Sequence, residues 1–411
     1  MIDFTLPAEI EQVVDGLLRF IEQEIVPIEE ANAGLLGSHR RLTDERGRYV
    51  PEVVELRKVV RMKSAEAGFY TIFGEEDFGG AGLGPLYAFH VYEAISHRYG
   101  PRRPLIHQMV IPSPFTNGLS PVLKHLKPEV LEQYLPGIAS GEKSLCFGLS
   151  EPNAGSDVLA MRTKAVKDGD EWVINGSKQW ITNSPYADYA MLFAITDTDK
   201  AAERRGGISG FFIPTDTPGF SVPGSIPLMG TLGAELGIVS LDDVRVPESH
   251  VIGELHHGLR VAIGGVNVGR VGLAASCVGT ARWALELATE YANTRQTFGK
   301  LIGEHQMIQA HLAEAAMDIY AARNMALHCS WKLEQGIPAR KEISMTKAFC
   351  TEMQVRVIDK CMAIHGAMGL TNELRLEEAF RFARIACVPD GTPEIQRRTI
   401  ARELLKGDLS F

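Results

Sequence analysis

Two serines, a tryptophan and a threonine are the first residues in this chain whose types and spacing suit chemistry. Ser150 and Ser156 bracket the run Ser150-Glu-Pro-Asn-Ala-Gly-Ser156-Asp157, and Trp180-Ile181-Thr182 follows at a distance. Backbone N–H groups freed by Gly155, with the two hydroxyls, can bind anionic oxygens. An indole and a third hydroxyl beside them would complete a site for a flat aromatic cofactor.

Short strands must position these groups. Leu145, Phe147 and Leu149 alternate as an apolar strand that runs into a turn carrying Pro152, Asn153 and Gly155. Glu171–Ile174 and Ser177–Thr182 flank Asn175-Gly176, a dipeptide suited to a two-residue turn with positive φ. The sequence therefore predicts a hairpin at Asn175-Gly176 that returns Trp180 and Thr182 to the serine loop.

Around this stretch the chain divides into three blocks: helices over 1–143, strands over 144–254 and helices over 255–411. Ile10, Val13, Val14, Leu17, Ile21 and Ile25 recur at helical spacing, and Pro27 is expected to stop that helix. Pro51, Pro85 and Pro128 each stand where a helix can begin, because the first helical N–H has no partner anyway. A polar stretch over 28–50 reads as a long loop or small insertion. The glycines of Phe78-Gly-Gly-Ala-Gly-Leu-Gly84 have no strand–turn–helix–strand unit around them, so they predict a loop before the helix at Pro85 and not a dinucleotide fold.

The middle block, with Tyr189–Ile195, Gly210–Pro214 and Ile238–Pro247 as further strands, predicts a small antiparallel β domain. The last block predicts a four-helix bundle over roughly 257–294, 305–335, 340–365 and 393–406.

The chain has 411 residues, 45% hydrophobic and 23% charged, enough for two or three domains with cores of their own. A net charge of −9 argues against nucleic acid as the main partner. The six cysteines are scattered without metal-ligand spacing, so buried free thiols and no metal site are expected. No apolar run approaches a membrane span, and Met1-Ile-Asp-Phe-Thr-Leu6 lacks a basic leader, which predicts a cytoplasmic, bacterial protein without membrane insertion.

The ordered string Ser150-Glu-Pro-x-Ala-Gly-Ser-Asp157, then Trp180-Ile-Thr-Asn183, closely resembles the flavin-binding signature of the acyl-CoA dehydrogenase family. The order of helical, β and bundle blocks resembles that family along nearly the whole chain. The resemblance implies FAD lying between the β domain and the bundle, beside an acyl-CoA thioester. Phe147, Leu149, Ser150 and Ser156 then match residues lining the flavin, and Trp180, Ile181 and Thr182 match the wall near its reactive nitrogen. Ser156, Asn267, Arg270 and Gly391 match positions near the thioester ligand.

Arg295-Gln-Thr297-Phe298-Gly-Lys300 with His305-Gln306 resembles the motif whose arginine meets the flavin pyrophosphate of a neighbouring subunit, a task that suits a planar guanidinium. Ile364-His365-Gly366-Ala-Met-Gly369 resembles the glycine loop that receives the adenine half of a partner's flavin. Ala363 and Ala367 depart from it, standing where the family has glutamine and glycine. These motifs imply a homo-oligomer, a dimer or tetramer. Thr392 and Glu394, just after the base loop, complete the implied cofactor set.

The base is where this chain departs most. Pro389-Asp390-Gly-Thr-Pro-Glu-Ile-Gln-Arg397 stands where most of the family has Glu-Gly-Thr-Ser before the last helix. Some members instead carry the base just before an arginine on the first bundle helix, but that slot here is Gly269, beside Arg270. Asp390 is thus the expected base, with a carboxylate one methylene nearer the backbone, and the shorter side chain is expected to leave room for a bulkier or branched acyl group. The implied reaction is α,β-dehydrogenation of an acyl-CoA, with electrons passing to an electron-transferring flavoprotein. Other readings on the same scaffold are an oxidase resembling nitroalkane oxidase, which also uses an aspartate base, a flavin monooxygenase, and a binding or assembly protein without turnover.

Overall fold

The computed structural model describes residues 6–37, 39–113, 115–229 and 235–410. The N-terminal reading of residues 1–5, and Pro114, lie outside them.

The N-terminal helices are α1 (Ala8–Phe20), a π-helical stretch (Ile21–Ile25), α2 (Val26–Ala31), the short α3 (Ala33–Leu36) and α4 (His39–Leu42), then α5 (Pro51–Glu66), α6 (Pro85–Tyr99) and α7 (Pro128–Ala139). Pro51, Pro85 and Pro128 open their helices as expected. Pro27 does not end the first one. The π-helical stretch resets the hydrogen-bond ladder, so Pro27 falls in the first turn of α2, where its missing N–H goes unnoticed. The stretch over 28–50 likewise holds short helices and a Thr43–Tyr49 bridge instead of a plain loop.

The middle block holds β1 (Leu145–Gly148), β2 (Lys164–Asp168), β3 (Glu171–Thr182), β4 (Tyr189–Ile195), the short helix α8 (Thr198–Ala202), β5 (Ile208–Pro214), β6 (Phe220–Ser225), β7 (Leu236–Pro247) and β8 (Val251–Ile252). Their order is β6-β7-β3-β2-β4-β5-β8, with β1 also on β4. The sheet is mixed, not antiparallel throughout. β1 runs parallel to β4 from Leu145–Tyr189 to Gly148–Leu192, because the intervening chain crosses over through the β2–β3 hairpin.

That hairpin turns at Gly169-Asp170, with Gly169 at φ 58°, and not at Asn175-Gly176. Asn175 and Gly176 lie inside the unbroken β3, where the register against β7 slips between Ile174 and Gly176. Asn175 pairs with Asp243 across the strands by two 2.8 Å hydrogen bonds. A Cβ on Gly176 would stand 2.5 Å from Thr163 Oγ1. The dipeptide's tolerance of unusual φ is used for a bulge instead of a turn.

The bundle comprises α9 (Gly258–Ala292), a two-stranded hairpin of β9 (Gln296–Thr297) and β10 (Lys300–Leu301), α10 (Gln306–Glu334), α11 (Arg340–His365), α12 (Leu376–Ala386) and α13 (Pro393–Leu405). Sequence reading missed α12, although Leu376, Ala379, Ala383 and Ala386 form its buried stripe at helical spacing. Among the described residues α9 is long and apolar enough to cross a membrane by length and composition, contrary to the expectation that no run approached that length. Its alanines Ala274, Ala281, Ala284 and Ala288 are buried in the core cluster that also takes in α10, α11 and α12. All six cysteines are buried and free.

A buried cluster joins the N-terminal helices to the sheet. Glu235, at the foot of β7, meets Arg57 at 2.5 Å and Arg102 at 2.7 Å. Burial alone would raise its carboxyl, but the two guanidiniums hold it below the usual range.

Candidate active site

Asp390 sits between α12 and α13 in the left-handed region, φ 58°, followed by Gly391 at φ 92°. Side chains from three helices hold this loop by its carbonyls. Arg270 Nε on α9 donates to the Asp390 carbonyl at 2.8 Å. Gln396 Nε2 on α13 donates to the carbonyls of Asp390 and Gly391 at 3.0 and 3.1 Å. Lys347 on α11, wholly buried, donates to the carbonyl of Cys387, the residue that closes α12 ahead of the loop, at 2.7 Å. Asn267 Oδ1 accepts from the far end of Arg270 at 2.8 Å and fixes the guanidinium plane.

Among the described residues no hydrogen bond ends on the Asp390 carboxylate oxygens. Burial raises its pKa above the ordinary aspartate value, and Arg270 and Lys347 pull it partly back. The loop is therefore anchored by its backbone while its carboxylate stays free to take a proton. The sequence signalled Asp390, Gly391, Arg270 and Asn267. It missed Gln396 and Lys347. Gln396 was visible as a glutamine one turn into α13, whereas Lys347 meets the loop only through the packing of α11 on α12.

On the sheet side, Phe147 lies near the end of β1, and the serine loop follows as a tight turn closed by paired bonds between Glu151 and Ala154. Glu151 is a further residue that sequence reading missed. Its buried carboxylate accepts from Lys178 Nζ at 2.8 Å and from the N–H groups of Arg162 and Thr163 at 2.6 and 3.1 Å. Despite burial, Lys178 and these donors hold Glu151 below the usual carboxylate range. The pair fixes the loop that carries Ser150, half-buried, and Ser156, exposed beside the open Gly155. Leu149 is buried beneath it.

β3 brings the other half. Gln179 N–H bonds the Ser150 carbonyl at 3.0 Å, which sets the next residue beside the loop. A second register slip between Lys178 and Ile181 puts Trp180 at φ 67°, and its indole is 50% exposed. Ile181 turns inward and Thr182 is half-buried. Asn183 then ties β3 to β1 through bonds to the Leu145 carbonyl and Ser144 Oγ at 2.8 and 3.2 Å.

The remaining predicted residues lie elsewhere. Arg270 and the end of α9 at Ala292 are separated by on the order of 30 Å along the helix axis, and Arg295, Thr297 and Phe298 follow that end. Phe298-Gly299, both with positive φ, turn the β9–β10 hairpin and leave the Phe298 ring 96% exposed, near His305. Gln306 opens α10, exposed. Ile364 and His365 point into the bundle, where His365 stacks on Tyr291 at 4.6 Å, and only Gly366 is presented outward. Thr392 stands at the N-cap position of α13 without a side-chain capping bond, and the exposed Glu394, two residues on, is held below the usual carboxylate range by the Thr392 hydroxyl.

A half-exposed indole set by a bulge, hydroxyls on an open glycine loop and an unbonded carboxylate on the bundle side are groups suited to an oxidoreductase with a flat cofactor. The two sides are linked through one ring, Phe115, which packs on Phe147 and reaches the helix face beside Asp390. The chain belongs to the acyl-CoA dehydrogenase family: its N-terminal, middle and C-terminal domains match residues 7–142, 146–244 and 256–405.

The probable acyl-CoA dehydrogenase YngJ of Bacillus subtilis is 33% identical over 98% of this chain and 100% of its own. The caffeyl-CoA reductase-Etf complex subunit CarC of Acetobacterium woodii is 32% identical over 90% of this chain and 95% of its own. The FAD complex of PigA superimposes with a TM-score of 0.83 at 26% identity, covering 98% of this chain and 99% of that one. The protein is an acyl-CoA dehydrogenase-type oxidoreductase with FAD as its cofactor, and the open serine loop and exposed Trp180 fit that flat group.

Proposed function

We propose that this enzyme desaturates an acyl-CoA thioester at the α,β-bond with Asp390 as the base. The observation that carries this is the Asp390 carboxylate, held in place through its backbone by Arg270 and Gln396 and, among the described residues, left without a hydrogen bond of its own. Asp390 takes the α-proton as the α,β double bond forms, and bound FAD supplies the acceptor for the β-hydride. Arg270 and Asn267 keep the base loop and thioester in register, and Gly391 keeps the loop clear of the guanidinium. Ser150, Ser156, Trp180 and Thr182 orient the flat ring and offer donors to the charge it gains.

Arg295, Thr297, Phe298, His305, Gln306 and Gly366 belong to a second copy's flavin in this reading, with the buried Ile364 and His365 supporting the Gly366 turn from inside the bundle. The supporting facts are their distance from Asp390 and the exposure of Phe298, so the working enzyme is a homo-oligomer. Electrons leave to an electron-transferring flavoprotein, a partner suggested by the name of the Acetobacterium relative.

An anaerobic absorbance titration of the holoenzyme with a panel of acyl-CoA esters tests the reading. Bleaching of the flavin by at least one ester, lost in Asp390→Asn, is the expected result. Flavin that no acyl-CoA reduces overturns it, and reduction by a nitroalkane instead would assign the oxidase chemistry.

A further inference from the structure

The room expected beside the shorter base is occupied by an aromatic ring. The point where a Cβ on Gly269 would stand lies 2.5 Å from Phe115 Cε2, 3.1 Å from its Cζ and 3.4 Å from Asp390 Oδ2. The ring edge and the carboxylate thus converge over one glycine. One turn earlier on α9, the matching point on Gly265 lies 3.4 Å from Phe115 Cε1. On its other side the ring packs against Phe147, centroids 5.2 Å apart at 53°.

The segment that carries this ring is held on both flanks. Before it, Tyr92 Oη donates to the Pro112 carbonyl at 2.9 Å, and the Tyr92 ring itself rests against Gly272 of α9. After it, the Thr116 carbonyl accepts from Leu145 N–H at 2.9 Å and from Asn183 Nδ2 at 3.4 Å. Gly118, at φ 67°, then turns the chain, its N–H bonded to Tyr70 Oη at 3.0 Å. Phe115 is a fixed wall.

We propose that Phe115 sets the width of acyl group the enzyme accepts, favouring acyl chains unbranched at the α- and β-carbons. The inference rests on the acyl-CoA reading above. For proton transfer the α-carbon must come within about 3–3.5 Å of the Asp390 carboxylate. Its substituents then lie along the flank of that carboxylate, where the Phe115 edge stands. A linear chain passes the ring, whereas a branch or ring at those carbons overlaps it. Gly269 is part of the same device, since any side chain there would displace Phe115 from the base.

The test compares the wild-type, Phe115→Leu and Phe115→Ala holoenzymes on butyryl-CoA, 2-methylpropanoyl-CoA and cyclohexanecarbonyl-CoA. Anaerobic bleaching reads reduction of the bound flavin, steady-state turnover with an added artificial electron acceptor reads kcat and KM, and calorimetry reads the Kd of the corresponding enoyl-CoA products. Wild type should prefer butyryl-CoA by about tenfold or more, the scale of one misplaced methylene in a tight pocket. Phe115→Ala should shift the ratio at least as far toward the branched and cyclic esters, chiefly through KM and Kd, with Phe115→Leu between.

An unchanged rank order in a variant that keeps its flavin content and melting temperature overturns the proposal. So does a wild type that prefers the branched esters. If Phe115→Ala does not fold, the Leu variant decides, since a ratio equal to wild type counts against the proposal. Failure of every ester to bleach wild-type flavin would instead sink the dehydrogenase reading.

Discussion

Arg270 grips Asp390 by its backbone, Nε to carbonyl at 2.8 Å, and the carboxylate takes no hydrogen bond among the described residues. A salt bridge to the carboxylate would have lowered its proton affinity and occupied its lone pairs. The observed arrangement fixes position while Arg270 and Lys347 only partly offset the rise that burial gives the carboxyl. Replacing Asp390 with Asn should therefore cut the rate of flavin reduction by about 10²–10⁴-fold, while FAD content stays at the wild-type level. Rapid-mixing absorbance on the purified variant checks both.

The raised pKa of Asp390 predicts the direction of the pH profile. Activity requires the carboxylate, so kcat/KM should climb with pH through a value above the ordinary aspartate range. Lys347→Met removes a positive neighbour and should move that limb to higher pH. Arg270, Cys277 and Cys387 also face Lys347 and remain in place.

Stability carries the same sign. A carboxyl whose folded pKa is raised contributes fully below its unfolded value and loses that contribution as pH rises through its folded value. The loss is about 1.4 kcal/mol for each tenfold difference in proton affinity between the folded and unfolded chain. Relative to wild type, Asp390→Asn should be near neutral in melting temperature at acid pH and should gain as pH approaches neutrality. Differential scanning across pH measures the difference.

Gly391 tolerates no side chain. At φ 92° a Cβ would meet Gln396 Nε2 at 2.7 Å and Arg270 at 3.3 Å. Gly391→Ala should cost about 1–3 kcal/mol of strain and lower kcat more than it weakens FAD binding, because it shifts the base and leaves the serine loop alone. Steady-state kinetics alongside flavin fluorescence separates the two effects.

Lys178→Met strips a wholly buried cation from Glu151. The uncompensated carboxylate should cost about 3–5 kcal/mol and loosen the serine loop, seen as a lower denaturation midpoint and faster FAD loss on dilution. The double variant Glu151→Gln with Lys178→Met should recover part of the stability, since no lone charge is left behind. A single variant as stable as wild type would count against the pair's role.

Much of the architecture is legible in one dimension because its causes are local. Prolines at 51, 85 and 128 mark helix starts through the missing N–H, and the spacing of Ile10, Val13, Val14 and Leu17 marks the first helix without reference to its partners. The candidate chemistry was also readable, in the order of Ser150, Ser156, Trp180 and Thr182 and in the Asp390-Gly391 step before a helix.

Tertiary structure decided what depends on partners remote in sequence. Asn175-Gly176 has the composition of a turn, yet β7 on one side and Thr163 on the other make it a bulge inside β3. Pro27 has the look of a stop, yet a π-helical stretch carries the helix past it. Glu151, Lys178 and Lys347 carry no local signal of their roles, because a buried charge acquires meaning only from what is packed around it. The width of the pocket is the clearest case. A short base suggests space when read along the chain, and the fold brings Phe115 from far upstream to the Gly269 face beside it.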